Sequence, residues 1–104
     1  MRLAVKGLTI AAILATSLTT NLFADDTQDL YKAKCQMCHG ADGQPSSVGK
    51  SMGAKAFSDP DVVKMSDADL ASITSNGKSK MPAYKGKVSD EQINALVKYV
   101  RTLK

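Results

Sequence analysis

The chain has no tryptophan, a single histidine and only two cysteines. With no further cysteine or histidine to serve as a fourth ligand, a structural zinc site is excluded. No stretch alternates apolar and polar residues between turn signals, so nothing competes for a strand and the chain reads as all-α. The basic residues are few and lack interleaved stacking aromatics, which argues against nucleic acid as a partner. No base pairs with a nucleophile, and the serines fall mostly at helix caps and in loops, so the pattern is not that of an enzyme. There are no low-complexity tracts, no internal repeats and no second domain.

Long apolar runs are scarce too. The longest, Leu8 to Leu18, covers 11 residues, well short of the roughly 20 that cross a bilayer. It follows Arg2 and Lys6 and precedes polar Thr19, Thr20 and Asn21, then Leu22-Phe23-Ala24 and the acidic Asp25-Asp26. This is the pattern of a secretory signal peptide, with cleavage expected after Ala24. Residues 1–24 are therefore read as a leader and residues 25–104 as one domain. No cysteine stands at the new N-terminus to carry a lipid, so no stable membrane insertion is expected after cleavage. Loss of Arg2 and Lys6 lowers the formal charge from +4 to about +2, and the strongly basic pI overstates the mature domain.

Both cysteines and the histidine fall in one run, Cys35-Gln36-Met37-Cys38-His39. Two thiols three positions apart on a helical turn can both add to the vinyl groups of one haem. The adjacent imidazole then lies under the iron as an axial ligand. A redox disulfide is the competing reading, but it needs the motif at a strand end in a βαβ context, which the flanks do not suggest. A domain of about 80 residues buries little apolar surface and usually needs a staple. With both cysteines committed to haem no disulfide remains, and the missing tryptophan leaves room for one large flat apolar group.

The helices can be placed from local signals. Asp26 or Thr27 to about Lys34 suits a short helix that runs into the motif. Asp59-Pro60 reads as a start with proline at the first position, giving one turn over 61–64. Ser66 opens a helix carrying Leu70 and Ile73, closed by Asn76-Gly77. Ser89-Asp90-Glu91-Gln92 is a capping box, and Ile93, Leu96, Val97, Val100 and Leu103 line one face of the helix that follows.

An iron held by one histidine needs a second axial ligand, and with no second histidine the candidates are methionines. Met37 is too close to His39 to reach the opposite face of a ring. Met81 is best placed, in a loop after a helix stop with Pro82 fixing the backbone beyond the sulfur. Met52 and Met65 remain open alternatives, since methionine is commonly core filler. Lys78, Lys80, Lys85 and Lys87 surround Met81, and no acidic residue occurs between Asn76 and Ser89. That local positive charge suits docking onto an acidic partner.

Taken together, Leu30-Tyr31 ahead of Cys35 to His39, Gly40 directly after it, Asn76-Gly77, Met81-Pro82, and Leu96 with Tyr99 resemble the class I cytochromes c, the short bacterial mono-haem type. The resemblance spans residues 27 to 104. It implies three to five short helices wrapped around one covalently bound haem c, with Cys35 and Cys38 as thioether links, His39 as proximal and Met81 as distal iron ligand. It implies that the first and last helices cross, with Tyr31 against Leu96 and Tyr99, although Thr27 stands where the family often has glycine. By the same analogy a carbonyl after Gly40, that of Pro45, would accept from His39. The expected function is a soluble, monomeric periplasmic carrier of single electrons between redox complexes, since haem of this type is attached outside the cytoplasm. The alternatives are a haem subunit of a larger dehydrogenase or oxidase and, more distantly, a thiol oxidoreductase.

Overall fold

Local capping residues set most of the element boundaries. A computed structural model describes residues 22–103, with side chains from Asp26 onward. The expected leader lies outside the described residues except for 22–24. Six helices follow in order: α1 (Leu22–Lys34), α2 (Gln36–His39), α3 (Ser47–Ser51), α4 (Pro60–Val63), α5 (Asp67–Asn76) and α6 (Asp90–Val100). Among the described residues there are no strands, only isolated bridges pairing Lys78 with Met81 and Lys85 with Val88. The all-α reading holds. The helix count exceeds three to five because α2, α3 and α4 are each about one turn long.

Each expected cap is present. Asp59 accepts from the Asp61 amide at 2.8 Å with Pro60 at the first helical position, and Ser66 accepts from the Asp69 amide at 3.0 Å. At α6 both bonds of the capping box form, Ser89 Oγ accepting from the Gln92 amide at 3.1 Å and Gln92 Oε1 from the Ser89 amide at 2.9 Å. Such caps are each worth about 1 kcal/mol. Two features differ from expectation. α1 starts at Leu22 rather than Asp26, and α3 had no counterpart in the sequence reading. Ser46 caps α3 through its hydroxyl, which accepts from the Gly49 amide at 3.1 Å.

The core forms where α1 and α5 pack on α6. Its buried hydrophobic side chains are Tyr31, Val88, Ile93, Leu96 and Val97. Tyr31 is completely buried and meets Tyr99 edge-on, with ring centroids 5.2 Å apart. The crossing implied by the resemblance is therefore formed. Thr27, one turn before Tyr31, is buried as well, so this face of α1 accommodates more than a glycine. Partly buried Leu30, Phe57, Ala71, Tyr84, Tyr99, Val100 and Leu103 pack around this cluster, while Met37, Val48, Met52 and Val63 lie exposed.

Beyond the end of α6, Arg101 ties the C-terminal segment to the α4–α5 junction. Its guanidinium donates to the carbonyls of Val62 at 3.2 Å and Met65 at 2.5 Å, and to Asp67 Oδ1 at 3.1 Å.

Candidate haem site

Cys35 sits between α1 and α2, where its backbone (φ −121°, ψ −34°) breaks the helical course. Its amide still donates to the Tyr31 carbonyl at 2.8 Å, and its own carbonyl accepts from His39 at 3.0 Å and Cys38 at 3.3 Å. The two cysteines thus occupy one turn. Both are half-buried and neither forms a disulfide. Burial pushes the Cys35 thiol up to about 11, against the opposing pull of Lys34. Activated thiols shift the other way.

The His39 imidazole stacks on Phe57, with centroids 4.9 Å apart and ring planes 22° from parallel. Burial holds its pKa below the ordinary value, which favours the neutral ring that a metal requires. Its Nδ1 is buried without a hydrogen-bond partner. The Pro45 carbonyl, the expected acceptor, therefore takes no bond from it. Instead the loop after the motif is fixed by other groups. Tyr31 Oη donates to the Gly40 carbonyl at 2.5 Å, the Ser46 amide donates to the Cys38 carbonyl at 3.0 Å, and Ser46 Oγ donates to the Met37 carbonyl at 2.5 Å. Gly40 has φ +76°, and a Cβ there would collide with the Gln44 carbonyl oxygen. At Gly49 a Cβ would run into the Cys38 carbonyl, so α3 rests directly on the backbone of the attachment run.

Met81 closes a tight turn. Its amide donates to the Lys78 carbonyl at 2.9 Å, and the Lys78 amide donates back at 3.2 Å. Inside that turn Ser79 has φ +53°, unique among non-glycine described residues. Such a conformation costs about 1–2 kcal/mol and is held here by both flanking bonds. Three residues on, Tyr84 fastens the loop at both ends. Its amide donates to the Thr74 carbonyl at 3.1 Å in α5, and its hydroxyl donates to the Lys34 carbonyl at 2.9 Å, one residue before Cys35. Burial raises the Tyr84 pKa, and the nearby Cys35 and Cys38 add to the shift. The fold thus brings the Met81 loop to the attachment run. Of the other methionines considered, Met52 is exposed, whereas Met65 is half-buried.

These residues fit a covalently bound haem. Two free thiols occupy one turn beside a buried imidazole that stacks on Phe57 and whose Nδ1 has no hydrogen-bond partner. Among the described residues no group of three or more His, Cys, Asp and Glu side chains gathers as an alternative metal site. Sequence reasoning did not single out Tyr84, Phe57, Gly49 or Arg101. Of these, only the neighbourhood of Gly49 had a local signal, the capping serine at Ser46.

An all-α fold with these groups on one turn of helix defines a c-type cytochrome. Residues 23–100 match the family described as cytochrome C oxidase, cbb3-type, subunit III, and the chain belongs to this family of haem c proteins. It is 34% identical over 97 residues to cytochrome c-553 of Helicobacter pylori, covering 91% of this chain and 96% of the relative. It is 36% identical over 73 residues to cytochrome c6 of Leptolyngbya boryana, covering 68% and 81%. The solved structure titled KustC0563 c-type cytochrome superposes with a TM-score of 0.70 at 35% identity, covering 75% of this chain and 96% of that one. The cofactor is therefore haem c, covalently bound, and the function class is electron transfer.

Proposed function

We propose that the protein is a periplasmic carrier of single electrons in which Cys35 and Cys38 hold the haem by thioether bonds, His39 is the proximal iron ligand and Met81 the distal one. The observation that carries this reading is the Tyr84–Lys34 bond at 2.9 Å, which gathers the Met81 loop and the Cys35–His39 run. When bound, the haem supplies a ferric/ferrous couple, tuned upward by thioether ligation and an apolar surround. The chain's own residues keep that couple simple. His39 is held neutral by burial and its ring plane is fixed by Phe57. Met81 is a neutral thioether on a turn closed by two backbone bonds. Two neutral ligands suit either oxidation state, so the electron comes and goes with little rearrangement. With His39 and Met81 both held for the iron, small substrates would have no open site.

Residues 1–24 act in this reading as an export leader that is removed. No helix among the described residues is long and apolar enough to cross a membrane. Lys78, Lys80, Lys85 and Lys87 are exposed and steer docking to an acidic redox partner. The family's description favours a second reading, a fixed haem subunit of an oxidase; it predicts co-purification with larger subunits, whereas the carrier purifies as a free monomer. Titration of the purified denatured protein with a thiol reagent tests the covalent site. No reactive thiol is expected, together with a reversible one-electron optical change. Two reactive thiols would refute the assignment of Cys35 and Cys38.

A further inference from the structure

A metal-binding imidazole ordinarily donates its second ring N–H to a carboxylate, a carbonyl or water, and that bond both fixes the ring and strengthens the ligand. His39 departs from this. Its Nδ1 is buried and has no hydrogen-bond partner among the described residues. Nearby carbonyls are engaged by other donors: that of Met37 accepts from Ser46 Oγ, that of Cys38 from the Ser46 amide, and that of Gly40 from Tyr31 Oη. What the imidazole does meet is the face of Phe57, with centroids 4.9 Å apart and planes 22° from parallel.

Phe57 is fixed in its turn. Its amide donates to the Gly43 carbonyl at 3.1 Å, and Tyr31, completely buried in the core, lies edge-on to its ring with centroids 6.5 Å apart. Gly43, at φ +81°, closes the remaining side: a Cβ there would stand 2.9 Å from Phe57 Cδ2 and 3.1 Å from Leu103 Cβ. The second side-chain torsion of a histidine has a broad energy profile. Without a hydrogen bond the ring therefore turns unless something flat and immobile lies against it, and Phe57 is such a surface.

We infer that Phe57 is the positioning residue of the proximal ligand, acting in place of a hydrogen-bond acceptor: its ring sets the plane of the His39 imidazole and keeps Nδ1 dry. This rests on the reading of His39 as the proximal ligand. Two separable consequences arise. The stack fixes the direction of the imidazole plane about its bond to the iron. The apolar cover denies Nδ1–H an acceptor, so the imidazole is a weaker donor than a hydrogen-bonded one, and the ferrous form is favoured.

The test compares purified wild-type holoprotein with Phe57→Tyr, Phe57→Leu and Phe57→Ala by proton magnetic resonance in both oxidation states and by potentiometric titration. In the ferrous wild type an Overhauser contact between the Phe57 and His39 rings is expected. In the ferric form the order of the haem methyl resonances follows the imidazole plane. That order should be kept in Phe57→Tyr, which retains the ring, and altered in Phe57→Leu, with the ferric methionine charge-transfer band intact in both. Phe57→Ala admits water to accept from Nδ1, so its reduction potential should fall below that of Phe57→Leu, which keeps the site apolar. An unchanged methyl order in Phe57→Leu overturns the positioning role, and equal potentials for Phe57→Ala and Phe57→Leu overturn the covering role. A wild type whose two rings show no contact overturns the inference without any variant, so the test survives variants that do not fold. If the ferrous wild type lacks imidazole protons shifted upfield by the haem, the proximal-ligand reading itself fails.

Discussion

Replacing Arg101 by alanine should remove one of the strongest tertiary ties among the described residues. The guanidinium donates to two main-chain carbonyls, Val62 and Met65, and to the Asp67 carboxylate. A hydrogen bond from a charged donor contributes about 1.5–3 kcal/mol when it is kept from water. The Arg101 side chain is 29% exposed, so water recovers part of that on truncation. Asp67 is 65% exposed, and its ion pair adds at most about 1 kcal/mol. The expected loss for Arg101→Ala is therefore roughly 2–4 kcal/mol, a large fraction of the 5–15 kcal/mol typical of a domain, and a fall in Tm of about 10–20 °C. Asp67→Asn should cost less than about 1 kcal/mol. Arg101→Lys should resemble alanine more than wild type, because an ammonium cannot span three acceptors with a planar fork. Urea unfolding of the ferric holoprotein, followed by circular dichroism and by haem absorbance, gives these values directly. A loss below about 0.5 kcal/mol for Arg101→Ala, or equal losses for Arg101→Ala and Asp67→Asn, would refute the reasoning.

Two further outcomes follow from the close approach of α3 and from the small size of the domain. Gly49→Ala should cost about 3 kcal/mol or more, because the new Cβ meets the Cys38 carbonyl. Gly53→Ala has nothing within 4 Å and a φ of +83°, so it should cost only the left-handed penalty of about 1–2 kcal/mol; thermal melts that rank the two the other way would contradict the packing of α3 on the attachment run. Removing the haem should leave a largely unfolded chain, since burial of Tyr31, Val88, Ile93, Leu96 and Val97 is a small apolar gain for about 80 residues. Far-ultraviolet circular dichroism of the haem-free protein checks this, and a native-like helical spectrum would contradict it.

The elements readable from sequence are those decided within four residues. Ser89 with Gln92, Ser66 with Asp69, and Asp59 with Pro60 each carry their own partners, so α4, α5 and α6 could be placed in advance. The Cys35–His39 run was legible for the same reason, because its chemistry depends only on spacing. Other contacts left no local trace. Tyr84 bonds to a residue 50 positions away, and Arg101 to three residues 34 to 39 positions away. α3 was hidden because Ser47-Val48-Gly49-Lys50-Ser51 contains poor helix formers, and its helix rests on the Ser46 cap and on packing against α2. α1 begins at Leu22, upstream of the start that Asp26 or Thr27 suggests. The resemblance supplied the Tyr31–Tyr99 crossing but also suggested the bond from His39 to Pro45, which this fold does not make.

The most direct test of the account is the optical spectrum of purified ferric protein, taken for the wild type and for Met81→Ala. A covalent c-type spectrum with the ferric methionine charge-transfer band is expected in the wild type, with the band lost in Met81→Ala and retained in Met52→Ala and Met65→Ala. Retention of the band in Met81→Ala, with its loss in either of the other two variants, would contradict the account and move the distal ligand to that residue.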